Sequence, residues 1–105
     1  MLINISLSNT MQEKWQHPIR RQVDYKLASK ESSIRVLTVK LEKTKDEAHK
    51  DVYECFMQAR LLNGSVEQVK MTGAPHMSIA DAAARLSRQI GRNVQQKQQG
   101  RISLT

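Results

Sequence analysis

Three histidines, one cysteine and a set of clustered arginines are the side chains of this 105-residue chain with the means to do chemistry or hold a ligand. His17, His49 and His76 stand far apart, with no two-His or Cys-His spacing suited to a metal. Cys55 has no disulfide partner within the chain and falls on an apolar stripe beside Phe56, as a buried small hydrophobe does. His49 and Asp51 are two apart and cannot face each other on a helix. Glu47, Asp51 and Glu54 fall on the outer side of the same stretch, where carboxylates are solvated. A Gly-rich phosphate loop and a Gly-x-Ser-x-Gly elbow are both missing. The pattern points away from an enzyme and calls for no cofactor and no metal.

What remains is the chemistry of basic side chains meeting anions. Arg85, Arg88 and Arg92 lie within about 60° of one another on a helical wheel, opposite Ile79, Ala83, Leu86, Ile90 and Val94. Arginine donates two parallel hydrogen bonds to a phosphate. A merely solvated face mixes signs, yet Asp81 is the one acidic residue in 77–105. A second basic surface comprises Lys26, Lys30, Arg35 and Lys40 of the hairpin with Arg20 and Arg21 just before it, and Lys97 and Arg101 add charge near the end of the chain. Trp15, just before Arg20 and Arg21, offers either an anchor or stacking surface for a partner or a lid on one end of a small core.

Charge and composition bound the class. Lys and Arg number 17 against 10 Asp and Glu, for a net charge of +7, and the pI is near 9.9. The excess lies at the two ends: residues 1–41 hold seven basic side chains against three acidic ones, whereas residues 42–76 are nearly balanced. A mean hydropathy of −0.57 with 39% hydrophobic residues excludes a membrane span and a fully disordered chain. The N-terminus lacks the basic start and apolar stretch of a signal peptide, so the cytoplasm is the expected location.

These residues must be positioned by few elements. Ile3, Ile5 and Leu7 alternate with polar residues, as in a half-buried strand, and Asn9–Pro18 reads as a loop or short turn. Val23, Tyr25 and Leu27 alternate again; with Ile34 to Leu41 and the polar link 29–33 they predict a β-hairpin. Thr44-Lys45-Asp46-Glu47 has the form of a capping box, and Ala48, Val52, Cys55, Phe56, Ala59 and Leu62 follow at helical spacing, predicting a helix over about 45–63 ended by Gly64. Residues 65–72 read as a short strand or an irregular return. A second, shorter helix is expected from Ser78 to Val94, interrupted by Gly91 at about 1 kcal/mol relative to alanine. The expected fold is α+β: a small antiparallel sheet of about three strands against one long and one shorter amphipathic helix, residues 1–94, with a flexible basic tail at 95–105.

Two stretches resemble known modules. The hairpin and the Thr-Lys-Asp-Glu-Ala helix start, Val23 to Gly64, resemble the small sheet-plus-helix domain of phage integrase arm-binding modules. Ser78-Ile79-Ala80-Asp81-Ala82-Ala83-Ala84-Arg85-Leu86 resembles the first helix of a helix-turn-helix. Together with the charge map, the sequence predicts a small non-enzymatic nucleic-acid-associated regulator that contacts duplex phosphates through the hairpin and the C-terminal helix and tail. The alternative is an adaptor or inhibitor that binds an acidic partner protein. Tyr53, Met57 and Leu61 lie outside the main stripe of the expected long helix, which predicts a homodimer that covers them.

Overall fold

In the computed structural model, which describes the backbone of residues 1–7 and 13–103 and the side chains of residues 1–7 and 14–96, four strands and two helices follow in the order β1, α1, β2, β3, β4, α2. The strands are β1 (Leu2–Leu7), β2 (Ile34–Lys45), β3 (Asp51–Leu61) and β4 (Val66–Gly73), and the helices α1 (Gln16–Lys26) and α2 (Pro75–Ser103). The sheet order is β1-β2-β3-β4. β1 pairs parallel to β2 through the α1 crossover, and the other two pairings are antiparallel. The α+β class holds, with one strand more than expected and a mixed rather than wholly antiparallel sheet.

The core forms because register puts apolar side chains in rows on one face of the sheet. Ile5, Val39, Met57 and Val69 stand side by side across the four strands, as do Leu7, Leu41, Cys55 and Met71. Both helices cover this face. α1 contributes Ile19 and Val23, followed by Leu27, a spacing of four that makes one helical stripe; α2 contributes Ile79, Ala82, Ala83, Leu86 and Ile90.

Three expected elements are corrected. Val23–Lys26 belongs to a helix: Val23 and Leu27 are buried but Tyr25 between them is 77% exposed, so the period is four and not two. No hairpin spans 23–41; a 3-10 turn, Ala28–Ser33, joins α1 to β2. The expected long helix over 45–63 is instead the strand β3, with Cys55, Met57, Ala59 and Leu61 buried in alternation. The capping-box residues do other work. Thr44 is in the strand, and Asp46 closes the β2–β3 turn, its Oδ1 accepting from the amides of Ala48 and Lys50 at 2.9 and 3.0 Å. Residue for residue, the resemblance to an integrase arm-binding module therefore fails.

The shorter helix of expectation is the long one. α2 spans 29 residues, passing Val94 to reach Ser103 without the turn that a helix-turn-helix needs. The premise for a homodimer is also gone, because Met57 and Leu61 face their own core and Tyr53 packs against Trp15. Residues 9–12 of the expected Asn9–Pro18 loop lie outside the described residues; Pro18 sits in the first turn of α1, where a missing amide hydrogen costs nothing.

Candidate interaction surface of the helical layer

Strand directions decide how the helices meet. β1 and β4 run the same way, and each helix returns antiparallel to the strand before it, so α1 and α2 lie parallel with their first turns together. At that end Trp15 is half-buried, its ring centroid 4.9 Å from His76 and 6.2 Å from Tyr53. Trp15 thus closes one end of the core. Beside it Lys14, His17, Arg21 and His76 line a recess with Pro18, Gln22 and Ile79. Arg21 Nη2 donates to His17 Nε2 at 3.0 Å. Gln22 Oε1 is buried there without a hydrogen-bond partner among the described residues. Lys14, His17 and His76 were not expected in a site, and no linear spacing could reveal them; the topology brings them together.

At the other end the 3-10 turn meets the second half of α2. Lys30, Arg88 and Arg92 line one groove with Ser87, Gly91 and Gln95. Gly91 makes this possible: a Cβ there would stand 3.3 Å from Cε of Lys30, so the lysine stem crosses α2 where a side chain is missing. Asn93 fixes the same helix to the sheet. Its Nδ2 donates to Glu67 Oε1 on β4, and its Oδ1 accepts from Asn63 Nδ2 in the β3–β4 turn, both at 3.0 Å.

The expected basic residues divide as follows. Arg20 and Arg21 are exposed on α1, and Lys26 at its end lies over the Tyr25 ring at 5.1 Å. Arg85, Arg88 and Arg92 are exposed on α2. With Lys30 these form one helical layer, in which Asp24, Glu31 and Asp81 are the acidic side chains among the described residues. Arg35 is apart from them on β2, exposed at the irregular Ile34/Val36 register. The side chains of Lys97 and Arg101 lie outside the described ones. Among the described residues no three His, Cys, Asp or Glu are placed to hold a metal ion, and no helix is long and apolar enough to cross a membrane. The thiol of Cys55, fully buried on β3, is pushed up by desolvation from 9.0 to about 12.

At the level of sequence no family model matches the chain, and no curated protein does. Solved structures do match the fold. A ribosomal subunit interface protein from Coxiella burnetii superposes with a TM-score of 0.71 at 8% identity, covering 89% of this chain and 97% of that one. The N-terminal domain of Protein Y from Thermus thermophilus gives 0.64 at 15% identity, covering 88% and 98%. These likenesses are of fold. They overturn the expected nucleic-acid regulator with its duplex-gripping hairpin: the fold is similar to that of a ribosomal subunit interface protein, and the 23–41 hairpin meant to grip the duplex does not exist. The reading as an adaptor for an acidic protein falls with it.

Proposed function

We propose that this protein binds the ribosome at a subunit surface, with its helical layer against ribosomal RNA. The observation that carries this is the fold likeness to a ribosomal subunit interface protein over 97% of that chain. Charge supports it independently, since the helical layer carries basic groups from α1, the 3-10 turn and α2 on one side of the molecule. Phosphates are assigned to Lys30, Arg88 and Arg92 in the groove and to Arg20, Arg21 and Arg85 beside it. Lys26, Arg35, Lys97 and Arg101 add to the general field that draws a polyanion in. The reading keeps the cytoplasmic expectation, where ribosomes are, and requires no catalysis. This face is complete within one copy of the chain.

The test is co-sedimentation of the purified protein with ribosomes and separated subunits on sucrose gradients. Binding at about 50 mM salt that weakens steeply as salt rises is the expected result. Replacing Arg88 and Arg92 by Ala is expected to weaken binding and to lower the salt slope by about 0.7–0.9 for each phosphate no longer neutralised. Protein that stays at the top of the gradient at low salt would sink the proposal.

A further inference from the structure

The sheet face turned away from the helices carries side chains that the ribosomal reading leaves unused. In one row across the strands stand Asn4, Thr38, Gln58 and Gln68, and in the next Ser6, Lys40, Phe56 and Lys70. Apolar side chains on this face are ordinary in themselves, and Leu2, Val36 and Val66 stand in a further row with Arg60. The flanks of Phe56 are not ordinary. Phe56, half-buried on the inner strand β3, has an exposed lysine directly opposite on each side, Lys40 on β2 and Lys70 on β4. Directly opposed side chains lie about 4.5–5.5 Å apart at Cβ, so a lysine stem stands on each side of the ring. A shallow recess opens onto the ring, lined by Lys40, Glu42, Glu54, Phe56, Gln68 and Lys70. Beside it Gln58 Nε2 donates to Gln68 Oε1 at 3.2 Å, which ties two amide groups together across β3 and β4.

We infer that this face binds single-stranded RNA: one unpaired base stacks on Phe56, and Lys40 and Lys70 hold the phosphates on either side of it. A duplex hides the faces of its bases and cannot use the ring, whereas an unstacked base presents both a π-face and hydrogen-bonding edges. An acidic peptide would use the lysines and the amides, but a flat π-face for the ring comes with every base of a single strand. The choice of RNA over DNA rests on the ribosomal reading; the choice of a single strand rests on Phe56 and its neighbours. Glu42 and Glu54 stand opposite each other across β2 and β3, and Lys70 Nζ lies 3.7 Å from Glu54 Oε1. Those carboxylates repel a backbone at that end. The strand therefore leaves the platform toward Gln58, Gln68 and the exposed Arg60.

The test is fluorescence anisotropy with a labelled short oligouridine, and with a matched RNA duplex, at about 50 mM salt. Phe56→Leu keeps the apolar volume but removes the ring, and is expected to weaken oligouridine binding by about five- to a hundredfold. Phe56→Trp keeps the stack and is expected to retain binding, and equal melting temperatures show that the variants fold. Glu54→Gln frees Lys70 and is expected to tighten binding about two- to fivefold, a change of the opposite sign that no loss of folding can mimic. Unchanged affinity in Phe56→Leu, or no oligouridine binding by the natural sequence, overturns the inference even where ribosomes are bound. Oligouridine binding through Phe56 by a protein that does not co-sediment with ribosomes sustains it and removes the ribosomal reading instead.

Discussion

Cys55 shows how far a single side chain is defined by its row in the sheet. Leu41 stands opposite it on one side and Met71 on the other, and it is wholly buried. A thiolate there would lose its hydration with no cation or donor in exchange, which is why the thiol titrates only at about 12. Because the folded value is raised, the folded state holds its proton where the unfolded chain releases it. Stability from this group is therefore complete below pH 9 and is lost as pH rises from 9 toward 12. The native protein at pH 8 is expected to leave a thiol-specific disulfide reagent unreacted, and to react fully once urea unfolds it. Rapid reaction in the native state would mean that β3 opens easily. The free, buried thiol is legible from the sequence. Its element is not, since Cys55 fits a helical stripe with Phe56 and Ala59 as well as it fits alternation with Met57, Ala59 and Leu61.

Between those two periods, pairing partners that a linear reading does not contain make the choice. Residues 51–61 form a strand because β2 and β4 flank them on both edges, and the Asp46 carboxylate that suits a helix start suits a tight turn equally well. α1 misleads for the converse reason: Val23, Tyr25 and Leu27 alternate, and the helix shows only when Ile19 is added to give 19, 23 and 27. β1 and the start of α2 are legible, the first from strict alternation and the second from its apolar stripe. Gly91 links an element to a single side chain. It weakens the helix by about 1 kcal/mol relative to alanine, yet it makes room for Lys30, whose flexible end is the nearest group to an added Cβ. Gly91→Ala is expected to raise stability by about 0.5–1 kcal/mol in urea unfolding while displacing Lys30 and weakening ribosome binding. A destabilised variant would mean that the Lys30 stem cannot give way.

Taken across its full thickness, the molecule has one layer of helices and one sheet separating two surfaces of different chemistry. The helical side is arginine-rich and suited to phosphates; the open side is lysine-flanked, amide-rich and centred on one ring. The arginine ridge of α2 is legible in the sequence, but the open face is not visible while residues 45–63 read as a helix with Phe56 in its buried stripe. Helices pack about 10 Å from the sheet, and Phe56 points the other way, so the two faces are far enough apart to act independently. Their losses in ribosome affinity are therefore expected to multiply. With Arg88 and Arg92 replaced by Ala the salt slope is expected to fall by about 1.4–1.8, with Phe56→Leu it is expected to stay unchanged, and in the combined variant affinity is expected to drop by the product of the two factors. Titration of all three variants against ribosomes over a salt series reads both quantities together. A combined loss no larger than that of the arginine variant would mean that the ribosome touches the helical layer alone, and that the open face serves a single strand elsewhere.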